Sequence, residues 1–271
     1  MKKLEISVKK VAGFCEVSLD EIVYNVEDHH FWPRFPNWEP QTVQFFSKYL
    51  IKDTDYLDIG AWIGTTALLA TAMGARKVKA IEPNPMNFMH LIITQINNGL
   101  LQKWSLINAC ISNTHTPSVI GPIDGIKGAS SATNIIDSGQ DGTEIISLKL
   151  NDLLQGSENF SLIKVDIEGA EQFIITDIQI FGAYNAAVWL SLHPPFIANK
   201  YLFLQGLLSL QKKFYIIDED RCHIDFSKLS SQVLSKETKP TWGTKWGNFL
   251  KLDYFLKNFL TCQGIENKLF C

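Results

Sequence analysis

Tyr56-Leu57-Asp58-Ile59-Gly60-Ala61-Trp62-Ile63-Gly64 is the stretch on which the fold turns. It starts as a short apolar run carrying one carboxylate and ends in a segment bracketed by two glycines. Such a run reads as a buried strand turning sharply into a helix. Residues 65–73 supply the helix, stopped by Gly74. Working outward, 77–81 is a second strand, 85–98 a helix opened by Pro85 and closed by Gly99, and 104–111 a third strand. Strand alternating with helix implies a parallel sheet with right-handed crossovers.

Upstream, residues 1–50 form a preamble. A β-like stretch at 6–26 leads through the aromatic, proline-rich Phe31-Trp32-Pro33-Arg34-Phe35-Pro36-Asn37-Trp38 to an amphipathic helix over 41–50. Downstream, residues 112–143 break the rhythm with glycine, serine, threonine, asparagine and proline, and read as an irregular functional or disordered stretch. The pattern resumes with strands at 145–148 and 162–165, a helix over 170–180 and a strand over 187–192. A helix over 201–210 and strands at 214–217 and 249–252 follow. The expected organisation is a preamble (1–50), one α/β domain (51–256) and a tail (257–271).

The chain has 271 residues, 46% hydrophobic and 20% charged, which suits one large core. A net charge of −3 without a basic stripe argues against nucleic acid as partner and for a small molecule. The five scattered cysteines lack zinc-ligand spacing and suit reduced thiols. With neither a signal-like leader nor an apolar run of membrane-spanning length, the expected location is the cytoplasm.

In open α/β sheets, ligands bind at the carboxyl ends of the strands near the point where strand order reverses. Gly60 and Gly64 stand at such a turn, and Glu82 ends the next strand about twenty positions on, the spacing of an acid that reaches a ribose. NAD and S-adenosylmethionine both carry that ribose. Trp62 separates them, because it stands where a dinucleotide site needs glycine to admit the pyrophosphate, and S-adenosylmethionine has no phosphate. Asp58 is placed to meet the cofactor's ammonium directly or through water. No phosphate-cradling G-x-x-x-x-G-K-[ST] occurs.

A second constellation follows at Ile163-Lys164-Val165-Asp166-Ile167-Glu168-Gly169-Ala170-Glu171. Carboxylates are expensive to bury unpaired, so this cluster lines a polar cleft or turns its outer members to solvent. Asp166 terminates an apolar strand and points into the site, whereas Glu168 and Glu171 suit a helix's first turn. His193 ends the neighbouring strand, at the same edge of the sheet. A hydroxyl that receives a methyl group loses its proton, so Asp166 or His193 can serve as base. Asp166 can equally be a divalent metal ligand, though one carboxylate and one histidine do not establish such a site.

Together, Leu57 to Gly64, Ala80-Ile81-Glu82-Pro83-Asn84-Pro85, Asn97-Asn98-Gly99, Ile163 to Glu171 and His193-Pro194 resemble the FkbM-type family of S-adenosylmethionine-dependent methyltransferases. The similarity covers roughly residues 39–195. It implies a class I methyltransferase fold, a Rossmann-like three-layer sandwich around a seven-stranded, mostly parallel sheet. It implies in-line O-methylation, often of sugar or natural-product hydroxyls. By that resemblance Asp58, Gly60, Ala61, Gly64, Glu82 and Pro83 hold the cofactor, adenine lies near Ala109-Cys110-Ile111, and Glu39 closes over it. Many members carry an acid where this chain has Ser191, which bears on the catalytic role of His193. The alternatives are an NAD-dependent oxidoreductase on a related fold, opposed by Trp62, and a non-catalytic module, opposed by Glu82.

Overall fold

The computed structural model describes residues 2–11, 14–26, 31–32, 35, 40–122, 133–136, 141–154, 156–193, 196–211, 214–217 and 251–256. In chain order the first elements are β1 (Lys2–Val11), β2 (Phe14–Val26), α1 (Pro40–Tyr49), β3 (Asp55–Ile59), α2 (Thr65–Ala72), β4 (Lys77–Ile81) and α3 (Pro85–Asn97). Then come β5 (Trp104–Ile107), β6 (Cys110–Ile111), β7 (Ser118–Pro122), β8 (Thr133–Ile136), β9 (Thr143–Ile145), β10 (Ser147–Leu148) and β11 (Phe160–Val165). The rest are α4 (Glu171–Ile174), β12 (Ala187–Ser191), α5 (Lys200–Gln211), β13 (Phe214–Ile217) and β14 (Lys251–Leu256).

The central sheet runs in the order β13-β14-β12-β11-β3-β4-β5. Strands β5, β4, β3, β11 and β12 are parallel, while β14 runs antiparallel to both β12 and β13. Both faces are buried, which is why β3 and β11 show no exposed position. Alternate side chains serve the two faces. Leu57, Ile59, Ile163, Val165, Val188 and Leu190 pack with α4, α5 and the 3₁₀ segment Ile178–Tyr184. Tyr56, Val78, Ala80, Leu162 and Trp189 pack with α1, α2, α3 and the aromatic cluster of Phe31, Trp32 and Phe35. The mostly parallel α/β sandwich read from the sequence is therefore the architecture present. The β1–β2 hairpin lies against α1, α2 and α3.

Local chemistry fixes the helix starts. Asn84 caps α3, its side-chain oxygen accepting from the Met86 and Asn87 N–H groups at 2.9 and 3.3 Å, with Pro85 at the first position. Residues 65–70 at the start of α2 are all buried, with Ala67, Leu68, Leu69 and Ala70 in the core and the Thr66 hydroxyl bonded to Asp58.

Three expectations need correction. Residues 112–143 are not wholly irregular: β7 pairs antiparallel with β8 and β9 in a separate three-stranded sheet. The short β-branched runs are separated by small polar stretches, so no alternation is long enough to read as strand. The strand expected over 104–111 ends at Ile107, and Cys110–Ile111 pairs instead with β10. The Asn108 side chain is drawn onto the Glu82 and Pro83 carbonyls at 2.7 and 3.0 Å, which turns the chain between them. The helix over 170–180 is a single turn, α4, followed by the 3₁₀ segment, because Ile174-Ile175-Thr176 is a β-branched run with poor helix propensity. Among the described residues no helix is long and apolar enough to cross a membrane.

Candidate active site

Strand β3 is flanked by β4 on one side and β11 on the other, so the chain's path across the sheet reverses beside it. The carboxyl ends of these strands are the switch point at which open sheets bind ligands. On the β4 side, the Gly60 and Ala61 N–H groups both donate to the Ile81 carbonyl at 2.9 Å, binding the glycine turn to the end of β4. Trp62 follows in the left-handed region at φ 51, which costs a non-glycine residue ~1–2 kcal/mol. Its N–H donates to Glu82 Oε2 at 2.8 Å, and its ring packs edge-on against Phe31 at 4.6 Å.

Glu82 is buried, and its other oxygen accepts from the Asn84 N–H at 3.0 Å and, more weakly, from the Asn87 amide at 3.4 Å. Burial nevertheless pushes its carboxyl up to about 7, against the pull of those donors. Cys110 lies close enough to feel Glu82: burial first, and the Glu82 charge second, push its thiol up to about 12. Gly60, Trp62, Pro83 and Asn84 remain half-buried, so the rim of this side is open while Ala61, Gly64 and Glu82 lie beneath it.

On the β11 side, register does the assembling. Lys164 is the cross-strand partner of Asp58, and both side chains emerge on the same face. Asp58 is fully buried. It accepts from the Thr66 hydroxyl at 2.7 Å and faces Lys164 Nζ at 3.6 Å. Burial raises its pKa, with Lys164 opposing. Lys164 Nζ also donates to the Gly60 carbonyl at 3.2 Å and approaches Asp166 Oδ2 at 3.2 Å, so one buried cation joins the glycine turn to the acid at the end of β11.

The Asp166 side chain is 29% exposed, the most open acid of the group. His193 Nε2 stands 3.4 Å from Asp166 Oδ1 and 3.5 Å from Glu168 Oε2, while Nδ1 bonds Glu171 Oε1 at 2.6 Å. Burial lowers the His193 pKa, but Glu168, Glu171 and Asp166 outweigh it and raise the group to about 10.

The structure thus brings Asp58, Gly60, Ala61, Gly64, Glu82, Pro83 and Cys110 to one end of the sheet, with Asp166 and His193 beside them. Glu39 lies outside the described residues, as does the 257–271 tail. Sequence reasoning missed the joining role of Lys164, whose signal was a cation inside the apolar run Leu162-Ile163-Lys164-Val165. It also placed Glu171 on a helix's first turn without a partner. Glu171 does open α4, but it is fully buried against His193. Asn108 gave no signal that composition or periodicity reveals.

Residues 58–191 match the family model of the Methyltransferase FkbM domain. No curated protein matches the chain. Among solved structures, the chain is similar to the methyltransferase FkbM from Methylobacillus flagellatus KT, at 16% identity over 80% of this chain and 48% of that one, with a TM-score of 0.47. It is also similar to P. horikoshii TYW2 in complex with MeSAdo, at 15% identity over 92% and 71% of the two chains, TM-score 0.39. The M. jannaschii tRNA m1G37 methyltransferase gives 13% identity over 93% and 57%, also with TM-score 0.39. The chain spans about half the length of the solved FkbM methyltransferase. Residues 58–191, just under half of the chain, are thus the part that is similar to the FkbM methyltransferase domain.

Proposed function

We propose that the chain is an S-adenosylmethionine-dependent O-methyltransferase acting on a hydroxyl of a sugar or other small-molecule or glycan acceptor. The observation that carries this reading is the pairing of two acids across the switch point. Glu82 is buried at the end of β4, and Asp166 is partly open at the end of β11, with Lys164 and His193 beside it.

The residues fit the cofactor. Each carboxylate oxygen has about two acceptor sites; Glu82 Oε2 takes one backbone N–H, Oε1 takes another with only a long contact from the Asn87 amide beside it, and burial still works against the charge. Two further donors, the hydroxyls of a ribose, relieve that cost. We assign Gly60, Ala61 and Pro83 to the cofactor's approach, and Cys110, which feels the Glu82 charge, to its adenine. The fully buried Asp58 acts through Thr66 and Lys164, holding the glycine turn in shape. When bound, S-adenosylmethionine supplies an electrophilic methyl on a sulfonium. Asp166 orients the acceptor hydroxyl and takes its proton. Most of the gain comes from alignment, which can recover ~7–11 kcal/mol of barrier.

Glu82→Gln tests the cofactor half. The substitution keeps the shape but removes the charge from two hydrogen bonds, so S-adenosylmethionine affinity falls ~10–100-fold by calorimetry. The pH dependence follows from the raised pKa of Glu82. Ribose hydroxyls favour the ionised carboxylate, so affinity drops as the pH falls through about 7 and levels off above it. That inflection disappears in Glu82→Gln. An unchanged affinity and an unchanged pH profile in the variant exclude Glu82 from the site. Calorimetry with NAD in place of S-adenosylmethionine shows no binding on this reading.

A further inference from the structure

Three groups from three segments converge on the β12 side of the site: Asp166 at the end of β11, Glu168 in the turn after it, and His193 just past β12. One donor atom of each, two carboxylate oxygens and an imidazole nitrogen, lie within 4.8 Å of one another. The separations distinguish two kinds of contact. A charge-assisted N–H···O bond spans ~2.7–2.9 Å, and the Nδ1 contact with Glu171, at 2.6 Å, is of that kind. At the other ring nitrogen, Asp166 and Glu168 stand off at 3.4 and 3.5 Å. Two donors that each lie ~2.1 Å from one divalent ion, at tetrahedral to octahedral angles, are ~3.0–3.4 Å apart. The spacing around Nε2 is that of ligands gathered about an ion.

A second observation concerns Glu168 alone. Its Oε2 is shielded from solvent and has no hydrogen-bond partner. Leaving a buried acceptor unmatched costs ~1–3 kcal/mol, more when it is charged. The orphaned oxygen is the one that faces His193 Nε2. Glu171 completes the arrangement, because a metal-ligating histidine usually donates its other ring N–H to a carboxylate, which fixes ring orientation and tautomer. Charge points the same way, with Asp58, Asp166, Glu168 and Glu171 set against Lys164 and His193.

We propose that Asp166, Glu168 and His193 hold a divalent cation, with Glu171 as the positioning residue for His193. The ion takes the place of the Nε2 proton as the positive charge facing the two carboxylates. Two carboxylates favour magnesium or manganese, and the imidazole favours manganese of the two. As a role for the ion, the inference rests on the methyltransferase reading: its remaining positions receive oxygens of the acceptor.

The probe is Mn²⁺, added to chelator-treated full chain and followed by loss of the free-ion electron paramagnetic resonance signal. One ion binds per chain. Glu168→Gln and His193→Gln each weaken binding at least ~10-fold, and Glu171→Gln weakens it ~10–100-fold. S-adenosylmethionine binding, measured in chelator, certifies that each variant is folded. In the unaltered chain one equivalent of Mn²⁺ broadens the His193 ring resonances, which locates the ion without any substitution. Absence of stoichiometric binding, sharp His193 resonances at one bound equivalent, or a folded Glu168→Gln that binds Mn²⁺ as tightly as the unaltered chain overturns the proposal. If Mn²⁺ binds at His193 but S-adenosylmethionine does not bind, the methyltransferase reading fails and the metal site stands.

Discussion

Asp166→Asn retains S-adenosylmethionine affinity within about threefold and loses ~10²–10⁴-fold in turnover, the range expected when a positioned proton acceptor is removed. The two halves of the effect separate because Asp166 and Glu82 sit on opposite sides of the switch point, at the ends of β11 and β4. Asparagine keeps the shape beside Lys164 and His193, whose distances to the carboxylate are 3.2 and 3.4 Å. It cannot take a proton, and it is a poor ligand for a hard cation. The measurement is transfer of labelled methyl from S-adenosylmethionine to components of a cell extract, with calorimetry of cofactor binding alongside. Full turnover in the variant rejects any catalytic part for Asp166. Loss of cofactor affinity together with turnover makes it a structural link between β3 and β11 instead.

How much of this was legible in the sequence depends on what kind of information each feature needs. Strands buried on both faces announce themselves as short apolar runs, and the first polar residue after each run marks its carboxyl end. Glu82 and Asp166 were found that way, His193 follows its strand two residues beyond Ser191, and the Asp166 and His193 side chains meet at the strand ends. Pairings across strands are different, because register is a property of two segments and not of either alone. Lys164 reads as an oddity inside a strand until β11 is aligned with β3, and only then does it face Asp58. Glu171 is harder still. Its inward direction follows from the turn at Glu168 and Gly169, both with positive φ, which swings the start of α4 toward β12. Periodicity carries no trace of such a turn. The β7–β9 sheet escaped because its strands are too short, and its linking stretches too polar, to leave an alternating pattern.

Gly60→Ala is expected to cost ~4 kcal/mol or more, a loss of the size reserved for collisions that side-chain motion cannot relieve. A β-carbon at Gly60 falls 1.8 Å from the Asp166 carbonyl oxygen and 2.8 Å from its carbon, at a backbone φ of +84. Neither atom can move away cheaply. The Asp166 N–H is bonded to the Ile59 carbonyl at 2.9 Å, and Lys164 Nζ is bonded to the Gly60 carbonyl at 3.2 Å. Relief therefore means parting β3 from β11 where the two halves of the site meet. Gly64 is the control, since its φ of +92 carries the same left-handed strain, yet its β-carbon meets only the tip of Leu91 at 2.8 Å before ordinary contacts with Trp104. Leu91 can rotate, so Gly64→Ala costs ~1–2 kcal/mol, the strain alone. Against a total stability of ~5–15 kcal/mol, Gly60→Ala leaves little or no folded protein and Gly64→Ala leaves most of it. Urea unfolding of the two variants measures the gap. Equal midpoints mean that the two strand ends do not approach this closely, and that the glycine serves a bound ligand more than the protein's own backbone.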